Sequence, residues 1–210
     1  MRIARNFLGW VIPILIALVL VLLVRTYLFE IVKVSGGSME PNLADKERMV
    51  VVKPLKIRRL SVIVFDAYGE DPNAQPGTNY VKRVIGLPGD QIASRNGNLY
   101  VNGRKLNQSF IDQSERAGGT GNWTLASLAQ QHHWSTTTSV VPANHYFVLG
   151  DHRSISEDGR AWGYVNADKV MGIVKVPFWQ GTATHRDNIN RLANHKGQVQ
   201  ASFNWQGAAS

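Results

Sequence analysis

Three short stretches of this chain carry side chains able to do chemistry together. The first is Ser35-Gly36-Gly37-Ser38-Met39-Glu40-Pro41. A serine hydroxyl is a weak nucleophile until a base takes its proton. Glycines ahead of it let the backbone turn sharply and bring a peptide N–H near a reacting carbonyl oxygen. Taken alone, the stretch also reads as an ordinary loop. The second is Tyr80-Val81-Lys82-Arg83-Val84-Ile85-Gly86-Leu87-Pro88-Gly89-Asp90. In a strand, Lys82 shares a face with Tyr80 and Val84, and Arg83 points the other way. An apolar face disfavours the ammonium ion and lowers its pKa, which makes Lys82 a candidate general base. An exposed strand lysine is the plain alternative. The third runs from Gly150 to Val165 and is dense in charge, glycine and serine. It reads as a structured loop in which Asp158 and Arg160 can pair with each other or with Arg83.

These stretches sit among short β-branched runs. Strands are expected over 29–34, 48–52, 61–65, 79–85, 98–102, 145–149 and 169–176, punctuated by Gly, Pro and Asn. That spacing predicts an all-β domain. Residues 107–139, rich in Gln, Ser, Thr and Gly around Trp123 and Trp134, read as a small inserted cap. Residues 179–210 read as a polar, loosely ordered tail, because they offer little to bury.

Ahead of the β domain, Phe7 to Val24 is a run of 18 uncharged, almost wholly apolar residues. As a helix it would be about 27 Å long, close to the roughly 30 Å of a bilayer core. A cleaved signal peptide competes with this reading, since Arg2 and Arg5 precede the run. The run exceeds a usual signal core, and Arg25-Thr26-Tyr27-Leu28-Phe29-Glu30 has no pair of small residues at cleavage spacing. A retained single-pass anchor is therefore expected at 7–24, with residues 1–6 on the cytoplasmic side. Arg25 and Lys33 weigh against that orientation.

The net charge of +8 suits an anionic lipid surface. The basic residues are scattered and form no nucleic-acid motif, so no nucleic-acid partner is expected. With no cysteine in the chain, disulfides, thiol catalysis and cysteine metal sites are excluded. His132-His133 would point apart in a strand and have no acidic partner at ligand spacing, so no metal is expected.

Taken in order behind an anchor, the three stretches resemble the bacterial type I signal peptidases. Ser38-Met39-Glu40-Pro41 is similar to that family's Ser-Met-x-Pro box, and Tyr80 to Asp90 to its lysine box almost residue for residue. Gly150 to Gly163 resembles its Gly-Asp-x-Arg…Ser-x-Asp-x-Arg…Trp-Gly box, and Arg59 to Phe65 stands where the family has Arg-Gly-Asp-Val-Val-Val-Phe. The resemblance covers the anchor to about Phe178. It implies a signal-peptidase-like, mainly β catalytic domain over 25–178. The implied activity is serine endopeptidase cleavage after Ala-x-Ala-like sites in secreted preproteins, without metal or cofactor. Ser38 would be the nucleophile and Lys82 the base. Ser156 would hydrogen-bond the lysine, and Asp158, Arg160, Arg83 and Asp151 would support the site. The single anchor resembles the Gram-positive branch, with the catalytic domain on the extracellular face of the cell membrane. Three departures stand out. Gly36 replaces a serine whose hydroxyl helps the oxyanion hole in some members, which leaves the Ser38 backbone N–H. Leu60-Ser61 replaces Gly-Asp. His152, Ser154, Ile155 and Gly159 replace the common Asn, Asp, Asn and Ser. A non-catalytic scaffold of the same fold, acting in surface-fibre assembly, is the alternative, although it would be expected to lack Ser38 or Lys82. A self-cleaving repressor would carry a DNA-binding region in place of the anchor.

Overall fold

The computed structural model describes residues 2–134, 138–190 and 199–202. Helix α1 (Arg2–Tyr27) opens the chain. Its segment Trp10–Tyr27 has a mean hydropathy of 2.3, and none of it is buried against the rest of the chain. An apolar surface on every side suits a bilayer rather than a protein core. Only Leu28 separates α1 from β1 (Phe29–Lys33). Lys53 Nζ donates to the Thr26 carbonyl at 3.1 Å and pairs with Glu30 at 3.2 Å. A cation therefore sits at the negative end of the helix dipole and ties it to the β domain.

The larger sheet contains β1, β2 (Arg48–Val52), β3 (Val62–Asp66), β4 (Asn79–Gly86), β9 (His145–Leu149), β10 (Tyr164–Asn166) and β11 (Val170–Lys175). Its order is β1-β2-β11-β3-β4-β9-β10. The second sheet contains β5 (Ile92–Arg95), β6 (Asn98–Val101), β7 (Arg104–Leu106), β8 (Trp123–Thr124) and β12 (Val199–Ser202). All pairs between these strands are antiparallel. β3 is apolar at consecutive positions because both of its faces are covered. Val62 and Val64 pack with Met39, Leu43 and Val51, while Ile63 and Phe65 pack with Val84 and Val148. The Asn96-Gly97 turn joins β5 to β6 with both residues at positive φ, +48° and +74°. This is the mirror-image turn that matches strand twist.

The segment 107–139, read as a small inserted cap, packs into the core by its described part. Its described part forms α2 (Gln113–Gly119), β8 and α3 (Leu125–His132). Phe110, Trp123 and Leu128 share one buried cluster with Ile85, Phe147 and Leu149 of the main sheet. Residues 135–137 lie outside the described residues. The short α4 (Gly159–Trp162) follows β9.

The polar tail is corrected for part of its length. Residues 183–190 form α5 (Ala183–Asn190), and Ile189 is 1% exposed in the cluster that holds Met39 and Leu43. One apolar residue, seated by hydrogen bonds from its polar neighbours, is enough to dock a helix that composition marks as loose. The remainder of the tail, 191–198 and 203–210, lies outside the described residues.

Gly172 sits at a bulge where β11 passes between β2 and β3. A Cβ there would stand 2.7 Å from Val51 Cγ1 and 2.8 Å from the Val52 carbonyl oxygen. Gly172→Ala should therefore cost about 1–3 kcal/mol through overpacking. The check is a fall of several degrees in the melting temperature of the detergent-solubilised chain.

Candidate active site

β1 ends at Lys33, and the backbone turns through Gly36 at φ +85°. Residues 37–43 then wind into successive turns. Glu40 N–H donates to the Gly37 carbonyl at 3.1 Å, and the Asn42 and Leu43 N–H groups donate to the Met39 carbonyl at 3.0 and 2.9 Å. Met39 and Leu43, four positions apart, are both buried. They pin the turn to the core and leave Ser38 half-buried at the lip of a cleft of about 520 Å³. The Ser-Met-x-Pro-x-Leu pattern thus has a mechanical reading, in which two apolar anchors hold a serine outward. The Ser38 carbonyl accepts the His152 N–H at 3.1 Å. His152 Nδ1 lies 3.3 Å from the Gly37 carbonyl, which can only accept, so that nitrogen carries the proton. Among the described residues no acceptor is bonded to the Ser38 N–H.

Lys82 lines the same cleft from β4 and is only 4% exposed. Strand alternation places it as expected, on the Tyr80 and Val84 face, with Arg83 opposite. Its Nζ donates to Ser156 Oγ at 3.1 Å and stands 5.5 Å from the centre of the Tyr80 ring. Burial pushes the ammonium pKa down to about 8, with Asp158 pulling it up and Arg160 pushing it further down. Among the described residues no hydrogen bond joins Ser38 Oγ to Lys82 Nζ; the two groups share the cleft.

The third stretch orients Ser156. Gly150 is needed here, since a Cβ would lie 2.1 Å from Ser156 Oγ and 2.5 Å from the Ser38 carbonyl oxygen. The Gly150 N–H donates to Asp158 Oδ2 at 2.9 Å. Asp158 is fully buried and takes Arg160 Nε at 2.9 Å. Arg160 continues to the Gly119 carbonyl at 2.6 Å and the Arg153 carbonyl at 2.7 Å. The cap thus supplies an acceptor to the site's support.

Arg83, also fully buried, makes a two-pronged pair with Asp151 at 2.7 and 2.6 Å. Its guanidinium lies over the Phe110 ring at 4.1 Å. Of the pairings left open by the sequence, Asp158 takes Arg160, while Arg83 pairs with Asp151 instead. Sequence reasoning assigned no role to Gly150, Asn42 or Arg153. Arg153 is 1% exposed and donates to the Gly150 carbonyl at 2.9 Å and to Gln108 at 2.8 Å. Each lies inside or beside a stretch already singled out, but nothing in residue type alone marks it.

The Leu60-Ser61 departure also has a structural reading. Leu60 adopts φ +66°. This conformation costs a side-chain-bearing residue roughly 1–2 kcal/mol. Full burial of the leucine side chain offsets that cost by about 1.5–3 kcal/mol. The Leu60 carbonyl accepts Arg83 Nη1 at 3.1 Å, so this turn belongs to the same support.

The family model described as signal peptidase, peptidase S26, matches residues 7–179. Signal peptidase IB of Staphylococcus aureus is 34% identical over 183 residues, covering 83% of this chain and 91% of that protein. Signal peptidase I P of Bacillus subtilis subsp. natto is 37% identical over 179 residues, covering 83% and 90%. A crystal structure of a signal peptidase I from Enterococcus faecalis V583 overlays with a TM-score of 0.47 at 31% identity. It covers 57% of this chain and 97% of that one.

The burial of Lys82 has a stability consequence with a definite sign. Its folded pKa of about 8 lies below the ordinary 10.5. The unfolded chain therefore binds more protons between those values, and stability rises with pH across that window. Below pH 8 the full deficit is present, on the order of 3 kcal/mol. Lys82→Met should melt higher than wild type at pH 7, and the difference should shrink as pH climbs from 8 towards 10.5. Parallel melting curves across that range check it.

Proposed function

Since the chain belongs to the signal peptidase family, peptidase S26, we propose that it removes signal peptides from secreted preproteins with Ser38 as nucleophile and Lys82 as general base. It is a membrane-anchored serine endopeptidase. The observation that carries the residue assignment is a lysine amine buried beside Ser156 in the cleft that Ser38 lines, with its pKa lowered to about 8. A non-catalytic scaffold has no use for a buried amine kept so close to neutrality.

Neutral Lys82 has one lone pair and two N–H bonds. Donating one N–H to Ser156 Oγ orients the amine and leaves its lone pair for the Ser38 proton. Ser38 Oγ then attacks the scissile carbonyl. The developing oxyanion is taken by the Ser38 N–H, which supplies a preorganised dipole. Collapse expels the new N-terminus of the mature protein, to which the Lys82 ammonium returns its proton. Water, deprotonated by Lys82, hydrolyses the acyl-enzyme. Catalytic hydrogen bonds are often loose without substrate and tighten on binding, which fits a Ser38–Lys82 contact that is open here.

Residues 79–82 of β4 pair with β3, while β9 begins its pairing only at Arg83. This leaves the other edge of 79–82 open beside the cleft, where an extended peptide can pair. Val34, Met39 and Val81 contribute apolar walls to the cleft. This supports selection of small apolar side chains, as in Ala-x-Ala-like sites. Ser38 lies 14 residues beyond Val24, so the site stays within about 50 Å of the bilayer even on a fully extended path. Arg2 and Arg5 ahead of the apolar run support an N-terminus inside and a catalytic domain on the extracellular face of the cell membrane.

Cleavage of a purified preprotein tests the assignment. Ser38→Ala and Lys82→Ala should each lower turnover by about 10³-fold or more, and Ser156→Ala by less. Near-normal turnover in either of the first two would sink it. Wild-type activity should climb with pH to a plateau above about 8, as the amine loses its proton. An acid optimum would indicate a different base.

A further inference from the structure

The family match ends at residue 179, yet the polar network behind the catalytic pair does not. Asn42 directly follows Pro41 in the nucleophile turn and is 2% exposed. Its Nδ2 donates to the Phe110 carbonyl at 2.6 Å and to Asp151 Oδ2 at 2.9 Å. Its Oδ1 accepts from Asn188 Nδ2 of α5 at 2.8 Å. The Asn188 carbonyl in turn accepts Arg83 Nη1 at 3.0 Å. Arg83 is the immediate neighbour of Lys82 on β4, and Asp151 follows Gly150, which packs against both Ser156 and the Ser38 carbonyl.

These contacts close a ring. The nucleophile turn is joined through Asn42 to Asp151 and to Asn188, both of which hold Arg83 on the base-bearing strand. We infer that Asn42 and Asn188 act as one positioning unit, which makes α5 part of the machinery that sets Ser38 against Lys82. The inference rests on the assignment of those two residues as the catalytic pair.

Two features support a registering role rather than simple adhesion. Asn42 has both its amide donors and its carbonyl engaged, so its orientation is determined. α5 is also clamped at its last residue, two positions beyond Asn188, where Asn190 exchanges hydrogen bonds with Val176, Oδ1 accepting its N–H at 2.9 Å and Nδ2 donating to its carbonyl at 2.8 Å. Ile189, between the two asparagines, enters the cluster that contains Met39 and Leu43, the anchors of the nucleophile turn. A shift of α5 therefore reaches the turn through both packing and hydrogen bonds. A displacement of an ångström or so at a catalytic pair can cost up to about a hundredfold in rate.

The test is steady-state cleavage of a preprotein by the full-length, detergent-solubilised chain, at a temperature well below every variant's melting point. Asn42→Ala and Asn188→Ala should each lower kcat about tenfold with KM changed less than twofold. The double variant should lose no more than the worse single variant, because the residues act as a unit. The acid limb of the pH profile should stay near 8, since the burial of Lys82 is untouched. Asn188 is half-exposed, so its variant carries the test even where Asn42→Ala fails to fold. Full kcat in Asn188→Ala, multiplicative losses in the double variant, or losses confined to KM would each overturn the inference. Ser38→Ala runs beside them: an active Ser38→Ala rejects the catalytic pair itself, whereas an inactive Ser38→Ala with a fully active Asn188→Ala rejects only the positioning unit.

Discussion

The desolvation of one amine organises this molecule. Lys82 sits on an apolar strand face under conditions where an ordinary lysine would be charged. Holding it there costs stability at neutral pH, and the fold around it supplies the compensation. Both faces of β3 are sealed, and so are the three buried clusters around it. The same burial that penalises the ammonium form makes the neutral amine available as a base. The lowered pKa and the strain on stability are two readings of one environment.

Around that amine the charged groups are paired in a fixed order. Asp158 takes Arg160, and Asp151 takes Arg83. Asp158 and Arg160 lie close enough to shift Lys82, but neither Asp158 nor Asp151 contacts its Nζ; the direct partner is a neutral hydroxyl. A carboxylate in that position would hold the lysine protonated. Using Ser156 gives orientation without adding a counter-charge. Arg83 and Arg160 keep the carboxylates committed elsewhere, and they draw on backbone carbonyls from Leu60, Gly119 and Asn188 for further acceptors. These carbonyls belong to three segments far apart in the chain, so the site is stitched to the whole domain.

Much of this was legible in the residues. The strands around the lysine fall where their β-branched runs end at Gly, Pro or Asn, and Arg48–Val52 and His145–Leu149 match residue for residue. Strand parity alone placed Lys82 and Arg83 on opposite faces. The shortest elements escaped, because β7 and β8, at three and two residues, carry too little periodicity to register. The segment 107–139 read as a small inserted cap, and its polar composition gave no sign that Phe110, Trp123 and Leu128 complete the main core. The tail misled for the same reason, since composition averages over Ile189 and over Asn188, whose partners lie more than a hundred residues away.

The sequence by itself determined the anchor, the β architecture, the glycine-led turn before Ser38 and the strand face that carries Lys82. These follow from local rules: hydropathy over a helix length, alternation along a strand, and glycine where the chain must bend. Tertiary structure alone decided which acid holds which arginine and how deeply Lys82 is buried. It also decided that Asn42 and Asn188 meet. Those outcomes depend on where distant backbones cross, and hydrogen-bond partners are selected by distance and direction in space rather than by spacing along the chain.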